Sequence, residues 1–310
     1  MTMEWKGVMP AMTTAFREDL AIDHDFVAEH ARWMVQHGCT GIVTPGSLGE
    51  GATLSFEEKL ALWKTCVRAT GSRAPVVAAI AALSTREAVD LARAAAERGC
   101  RGLMILPPYV YRSDWREMKA HVAAVLRATE LSCMLYNNPV AYGTDFLPEQ
   151  IAELAGEHEN LQSVKESSTD VRRVTAIRAL VEDRLAVFVG VDDAIVEGIA
   201  AGAVGWIAGL VNALPKETVA LFDCARDDAT SRVREIYNWF LPLLRMDTAV
   251  KFVQLIKLVQ REVGMGNTRV RPPRLELEGA ELEEALGVIR KALAERSGLW
   301  KRRKRIEVVR

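Results

Sequence analysis

The stretch Leu161-Gln162-Ser163-Val164-Lys165 is the starting point for interpreting this chain of 310 residues. It is a short apolar run that ends in a lysine and is followed by the polar turn Glu166-Ser167-Ser168. A short apolar run that is bounded by a turn is typical of a buried strand. Because side chains alternate along a strand, Leu161, Ser163 and Lys165 are predicted to share one face. A lysine at a strand end is most often a solvated charge, but here it is also a candidate nucleophile.

Seven further apolar runs recur along the chain, and stretches with helical periodicity lie between them. The eight runs cover residues 8–13, 41–45, 76–80, 102–106, 132–136, 161–165, 186–190 and 204–208. Apolar strands that alternate with helices predict a parallel sheet with a covered outer face. Eight such units match a closed (β/α)₈ barrel, the TIM barrel. An open doubly wound sheet is the rival fold, but no GxGxxG motif follows the first strand.

Strand signals stop after about residue 214, and the remaining stretches have helical periodicity. These stretches are residues 216–226, 230–244, 249–263 and 280–296. We therefore predict two units in an α/β protein, a barrel over residues 1–213 that carries the active site and a C-terminal helical region over residues 214–310 that packs on it.

Composition argues against several classes of protein. Forty basic and forty-one acidic residues leave a net charge of −1, which is not the electrostatic footprint of a nucleic-acid-binding protein. The basic run at residues 301–305 is interpreted as a solvated tail.

The uncharged stretch 198–215 holds five glycines or prolines, so we expect no membrane span there. The five cysteines form no CxxC pair and the N-terminus lacks a signal peptide pattern, which predicts reduced thiols and a cytoplasmic location.

The strand ends supply the candidate site residues, because reactive groups in such a barrel gather at the C-terminal ends of its strands. Strand two is followed by Gly46-Ser47-Leu48-Gly49-Glu50, a glycine-flanked hydroxyl whose turn can present backbone N–H groups to a carboxylate. An ordinary capped helix start explains the same pattern.

Strand five ends at Tyr136, whose phenol lies near Lys165 if its face points into the lumen. A tyrosine beside a neutral lysine can shuttle protons.

Two other groups of polar residues are interpreted as structural. Asp192-Asp193 follows strand seven, where capping of a helix start is the simpler role. The five histidines have neither the spacing of a zinc site nor that of a Ser-His-Asp triad. We predict no metal site.

Four motifs together resemble the dihydrodipicolinate synthase / N-acetylneuraminate lyase family of Schiff-base lyases. They are the Gly-Ser-x-Gly-Glu loop at 46–50, Tyr136-Asn137-x-Pro139, Val164-Lys165-Glu166 and Gly190-x-Asp192-Asp193. The resemblance covers residues 5 to about 300. It implies that the Lys165 amine forms a Schiff base with the 2-oxo or 2-imino carbon of a small carboxylate substrate. Such a mechanism needs no metal or organic cofactor, but the lysine must be made nucleophilic by burial or by nearby positive charge.

The resemblance also implies roles for other residues. Tyr136 matches the family's proton-transfer tyrosine, and Ser47 matches the hydroxyl that relays protons from it. The backbone around Ser47 and Leu48 would hold the substrate carboxylate. Ile207 stands where the backbone lines the pocket, and Tyr142 is a further candidate for binding substrate.

Three departures from the synthase branch narrow the substrate. Leu48 removes a second hydroxyl from the loop after strand two. Ala141 stands where the synthase has an arginine that binds a substrate carboxylate, so a bidentate contact is lost. The synthase takes a tyrosine from a neighbouring subunit, and direct alignment puts Val110 there. Tyr111 is the catalytic candidate only if this loop is shifted by one residue.

The combination of residues 46–50 with residues 136–142 looks most like the 1-pyrroline-4-hydroxy-2-carboxylate deaminases of hydroxyproline degradation. We then expect Lys165 to attack C2 of the cyclic imine, a base near Tyr136 to remove a C3 proton, and the 4-hydroxyl to leave. Hydrolysis gives 2-oxoglutarate semialdehyde and ammonia. Three alternatives stay open: an aldolase or dehydratase acting on 2-keto-3-deoxy sugar acids, dihydrodipicolinate synthase itself, and a ligand-binding barrel without chemistry.

The resemblance implies a homotetramer built as a dimer of dimers. In such an assembly Tyr109 or Tyr111 would act only across a subunit interface.

Overall fold

The computed structural model describes residues 3–107 and 111–301. Its strands are β1 (Gly7–Pro10), β2 (Ile42–Thr44), β3 (Val76–Ile80), β4 (Gly102–Ile105), β5 (Ser132–Asn137), β6 (Leu161–Glu166), β7 (Ala186–Val189) and β8 (Gly205–Ala208). They form one parallel sheet in the order β1-β8-β7-β6-β5-β4-β3-β2. A parallel bridge between Ala11 and Val43 joins the two edges. The predicted (β/α)₈ barrel is confirmed, and it is nearly closed.

The helices that follow the strands cover the outer face of the barrel, and more helices continue the chain beyond β8. They are α1 (His24–Gln36), α2 (Phe56–Thr70), α3 (Thr85–Glu97), α4 (Trp115–Arg127), α5 (Pro139–Tyr142), α6 (Pro148–Glu157), α7 (Arg172–Val181), α8 (Ile195–Ala200), α9 (Pro215–Arg226), α10 (Thr230–Leu244), α11 (Phe252–Glu262) and α12 (Gly279–Lys301). The C-terminal helical extension is therefore present. The division of the chain at residue 213 stays a prediction.

Alternation along the strands separates two apolar layers. Inward side chains fill the lumen, and they include Met9, Val77, Met134 and Phe188. The intervening residues of each strand point outward and pack against the helices. The lumen is thus a packed core. Its end at the C-terminal ends of the strands carries the polar groups of the site.

One prediction about the faces of β6 is wrong. Leu161 belongs to the outer apolar layer together with Val164, and does not share a face with Lys165. The cause is a register shift in the β5–β6 ladder, where Cys133 pairs with Leu161 but the next residue, Met134, pairs with Ser163. Because β6 has one extra residue at this point, the alternation of side chains between the two faces is reversed for the residues that precede Ser163.

The stretch at residues 198–215 contains the end of α8, all of β8 and a short 3₁₀ turn. Across residues 3–107 and 111–301, no helix has the length and apolar character needed to cross a bilayer. Of the basic run at 301–305, Lys301 ends α12, and residues 302–305 lie outside the described residues.

Candidate active site

Lys165 lies near the C-terminal end of β6 with its side chain buried in the lumen. Its register partner on β5 is Tyr136, and the Lys165 Nζ lies 4.0 Å from the centre of the Tyr136 ring. Gly190 makes room for the lysine, because a Cβ at that position would lie 2.4 Å from the Lys165 Cε. The side chain is therefore held between strands β5 and β7.

The ionisation of Lys165 is shifted toward the neutral amine. Burial lowers its pKa to about 8, although the charges of Asp247 and Asp192 act in the opposite direction. Desolvation disfavours the ammonium ion, whereas nearby carboxylates favour it. Since burial is the larger effect, a useful fraction of the amine is uncharged near neutral pH.

Tyr136 places a phenol beside this amine, and a side-chain hydrogen bond holds it in position. The Asn138 Nδ2 donates to the Tyr136 hydroxyl oxygen over 3.0 Å. Burial raises the pKa of Tyr136 to about 12, and contacts with Asn138, Ser167 and Ser47 oppose that rise. The phenol therefore keeps its proton at neutral pH and can donate it to a group that develops negative charge.

Ser47 and Tyr142 extend this group of hydroxyls. The Ser47 Oγ and the Tyr142 hydroxyl form a hydrogen bond. The Tyr142 ring meets the Tyr136 ring edge-on, with centroids 5.9 Å apart. Asn138 positions both tyrosines, because its Oδ1 accepts a hydrogen bond from the Ala141 backbone N–H at the start of α5. The buried amine thus lies beside Tyr136, which belongs to a connected group of three hydroxyl-bearing residues that can bind and protonate a small polar substrate.

The loop that carries Ser47 is held in place by tight backbone packing and by a buried ion pair. A Cβ at Gly49 would lie 2.7 Å from the Met12 carbonyl oxygen, so only glycine fits there. Glu50 has a left-handed backbone, with φ 55°. Its carboxylate accepts a hydrogen bond from the Lys257 Nζ over 2.6 Å, and both side chains are buried. Helix α11 therefore fixes the position of this loop.

Lys165, Tyr136, Ser47 and Tyr142 form one connected group. Ile207 lies in the lumen, in the apolar cluster that contains Tyr136. The Leu48 side chain is buried in the outer apolar layer, and the predicted contact of its backbone with the substrate stays a prediction.

Tyr111 is not joined to this group within the chain. It is 57 % exposed. A hydrogen bond to Glu117 raises its pKa. Tyr109 and Val110, the other residues considered for this role, lie outside the described residues.

The capping role predicted for Asp192 is wrong. Neither the 3₁₀ turn Asp192–Ala194 nor α8 has a side-chain cap. The Asp192 carboxylate instead accepts hydrogen bonds from the Trp206 Nε1 over 2.9 Å, the Gly209 N–H over 3.0 Å and the Leu210 N–H over 2.8 Å. Burial nevertheless raises its pKa to about 6. The side chain points toward the end of β8 rather than toward its own helix.

Two residues near the amine were missed by the sequence analysis. Ser167 is buried, and a Cβ at Gly190 would lie 2.0 Å from its Oγ. Its position two residues after Lys165 was the available signal. Asp247 comes from the 3₁₀ turn Arg245–Thr248 beyond α10. It lies between two helical stretches and in no motif, so no sequence signal marked it as a site residue.

The part of the chain that the structure describes contains no group of three or more His, Cys, Asp or Glu residues arranged to hold a metal ion.

The sequence model of the dihydrodipicolinate synthetase family matches residues 4–292. Among similar proteins, the 4-hydroxy-tetrahydrodipicolinate synthase of Moorella thermoacetica is 32 % identical over 286 residues, which are 91 % of this chain and 95 % of that protein. An uncharacterised DapA-like lyase of Thermofilum pendens is 30 % identical over 297 residues, or 94 % of this chain and 99 % of that protein.

Solved structures show the same similarity. The crystal structure of dihydrodipicolinate synthase from Aquifex aeolicus superimposes with a TM-score of 0.89 at 26 % identity. That match covers 93 % of this chain and 98 % of the other.

Proposed function

Since the chain belongs to the dihydrodipicolinate synthetase family and is one of its Schiff-base lyases, we propose that Lys165 is the nucleophile that forms the Schiff base. The observation that carries this proposal is the buried amine itself. Its pKa is lowered to about 8, and its Nζ lies 4.0 Å from the ring centre of a protonated phenol. The substrate is a small carboxylate with a 2-oxo or 2-imino carbon.

We further propose that this substrate is 1-pyrroline-4-hydroxy-2-carboxylate. The Lys165 Nζ forms a bond to C2, the electron pair of the C=N bond moves to the ring nitrogen, and the Tyr136 phenol supplies the proton that this nitrogen takes up. The C2–N bond of the ring then breaks, the amino group stays on C5, and a protonated Schiff base is left between C2 and Lys165. A base near Tyr136 removes a C3 proton, the electron pair of the C3–H bond moves into the Schiff base, and its return expels the 4-hydroxyl, which leaves as water. Hydrolysis releases 2-oxoglutarate semialdehyde and ammonia and regenerates the amine.

The residues near the Ser47 and Tyr142 hydroxyl groups support this choice of substrate. Ala141, where the synthase branch has an arginine, offers no cation for a second carboxylate. The Tyr142 hydroxyl, paired with Ser47, is a neutral partner suited to a substrate hydroxyl. Backbone N–H groups around Ser47 and Leu48 would hold the substrate's single carboxylate.

Dihydrodipicolinate synthesis is the second candidate, because the similar protein of Moorella thermoacetica bears that name. An aldolase or dehydratase of 2-keto-3-deoxy sugar acids would use the same lysine and tyrosine. A ligand-binding barrel without chemistry is not proposed.

Product analysis distinguishes these functions. Purified protein is given 1-pyrroline-4-hydroxy-2-carboxylate, and we expect stoichiometric release of ammonia and 2-oxoglutarate semialdehyde. Lys165→Met should abolish release. Lys59→Met is the matched control, because Lys59 is another buried lysine, in α2, whose pKa is lowered by burial. Absence of ammonia, together with condensation of pyruvate and aspartate semialdehyde or cleavage of a sugar acid, would reject the deaminase assignment.

We also propose that the protein works as a homotetramer in the cytoplasm. All five cysteines are free and four of them are buried, which suits a reducing compartment. Apolar surface is exposed by Leu83 and Tyr111, on the loops that follow β3 and β4, and by Val140, in helix α5 after β5. A subunit interface that covers this surface would bring Tyr111 toward a neighbouring site.

A further inference from the structure

We infer that Asp247 is a positioning residue that, as a pair with Asp192, sets the charge of Lys165. The inference rests on the proposed function, in which Lys165 must lose a proton before it attacks. Asp247 lies in the C-terminal helical region, so this role gives that region a part in the site. The motifs at the ends of the barrel strands do not extend into it.

The two carboxyl groups flank the same residue, Gly209. A Cβ at Gly209 would lie 2.0 Å from the Asp247 Oδ1, so the Asp247 carboxyl rests directly against the Gly209 Cα. The Gly209 N–H donates to the Asp192 carboxylate over 3.0 Å. Gly209 itself follows β8, at the end of the barrel that carries the Lys165 amine. The missing side chain at this position thus allows an acidic residue to reach the site.

The charges around Asp247 come from several elements. Asp192, Lys165 and Asp193 act on it electrostatically, and Asp247 in turn affects Tyr136. On the elements that pack against it, Arg245 pairs with Asp193 over 3.7 Å. In α10 the Tyr237 hydroxyl donates to the Asp193 carbonyl oxygen, and in α11 the Lys257 ammonium pairs with Glu50.

Asp192 and Asp247 differ in how readily they hold a proton. Asp192 accepts hydrogen bonds from three N–H groups, which stabilise its charge. Burial and then the neighbouring Asp192 raise the pKa of Asp247 well above its usual range, while Lys165 lowers it. Two adjacent carboxylates resist ionising together, so we assign the proton to Asp247.

The consequence for Lys165 follows from the sign of the charge. An ionised Asp247 favours the ammonium form, and a protonated Asp247 favours the neutral amine. Lys165 can therefore meet an anionic substrate as a cation and attack it as an amine.

The test is the pH profile of adduct formation on Lys165. Pyruvate serves as the 2-oxo acid probe, cyanoborohydride traps the imine, and intact mass gives the rate across the pH range that spans the pKa of Lys165. As the pH rises, wild-type Asp247 ionises and then favours the ammonium form of Lys165. Asparagine cannot ionise, so in Asp247→Asn the rising limb of the pH–rate profile should move to lower pH by about one unit. A residue with only a structural role would lower the rate at every pH without moving the limb.

Asp223→Asn is the matched control, because Asp223 also lies in the C-terminal region but pairs with Arg226 at the surface. Its limb should coincide with that of the wild type. An unshifted limb in Asp247→Asn, or one moved to higher pH, overturns this inference alone. Absence of any adduct on wild-type Lys165 overturns the proposed function, and this inference with it.

A second measurement needs no variant and so does not depend on whether Asp247→Asn folds. Wild-type protein labelled with carbon-13 at the aspartate carboxyl carbons is titrated by NMR. We expect a carboxyl signal that titrates well above the ordinary aspartate range and moves again as Lys165 loses its proton. Titration of every carboxyl within the ordinary range would overturn the assignment of the proton to Asp247.

Discussion

Lys165 is subject to two opposing electrostatic effects. Burial removes water from the ammonium ion, and the carboxyl groups of Asp192 and Asp247 attract it. With a pKa of about 8, about a tenth of the amine is uncharged at pH 7, whereas a free lysine has less than about a thousandth. The site therefore supplies a nucleophile while retaining most of the positive charge that attracts a carboxylate substrate.

This placement of Lys165 has a stability consequence that can be measured. Its folded pKa lies below its unfolded value, so in the pH range between the two values the unfolded chain binds more protons and stability rises with pH. We expect Lys165→Met to increase the free energy of unfolding at neutral pH by about 1–2 kcal/mol. The advantage should shrink as the pH rises through that range.

Denaturant unfolding at neutral and alkaline pH checks this expectation. Lys64→Met, a substitution at an exposed lysine in α2, is the reference. Destabilisation by Lys165→Met at neutral pH would mean that its attraction to the two carboxyl groups outweighs the cost of burial.

At the scale of elements, the loop after β2 depends on α11. Glu50 and Lys257 are 207 positions apart in the chain, and their buried ion pair joins the Ser47 loop to the C-terminal helices. The Glu50 carboxylate also accepts a hydrogen bond from the Arg271 N–H over 2.9 Å. Loss of either charge would leave the other buried without its partner.

Glu50→Gln should therefore lower the free energy of unfolding by about 3–5 kcal/mol, because the Lys257 ammonium would stay buried and unpaired. The double variant Glu50→Gln with Lys257→Met should recover part of that loss. Glu281→Gln, which breaks a half-exposed ion pair with Lys251, should change stability by about 1 kcal/mol or less. Equal effects of Glu50→Gln and Glu281→Gln in urea unfolding would contradict the anchoring role.

The sequence predicted all eight strands of the barrel, because apolar periodicity is a local signal. The strand at Val76–Ile80 and the helix at Thr230–Leu244 have the predicted ends. The face predicted for Leu161 was wrong because of a register shift between β5 and β6. Such a shift depends on how two strands pair, which the residues of one strand do not encode. For the same reason the hydrogen bond donors to Asp192 could not be predicted, since they come from β8 and the turn after it.

The candidate site was predictable only where its residues lie in motifs. Lys165, Tyr136 and Ser47 were selected because they end or follow strands. Asp247 and the Lys257 partner of Glu50 come from the C-terminal helices, and only the packing of those helices on the barrel brings them near the site.

At the scale of the whole molecule, assembly is the proposal with the widest consequence. Val140, in helix α5, is 72 % exposed, and Leu83, on the loop after β3, is 68 % exposed; both lie at the end of the barrel that carries the site. Burial of such side chains contributes about 1.5–3 kcal/mol each. We expect a tetramer in light scattering, and a smaller species for Val140→Asp.

Val204→Asp is the control for assembly. Val204 is also a partly exposed valine, but it precedes β8 at the opposite end of the barrel. It should leave the tetramer intact. A monomeric wild type, or equal dissociation by both variants, would reject an interface at the Val140 surface.

Covalent trapping shows directly whether Lys165 is the nucleophile. Wild-type protein is incubated with pyruvate and borohydride, digested, and mapped by peptide mass spectrometry. We expect one reduced adduct on Lys165, and none on Lys59 or Lys257, which are also buried and have lowered pKa values. A protein that stays unmodified at Lys165, or that carries the adduct on another lysine, would contradict it.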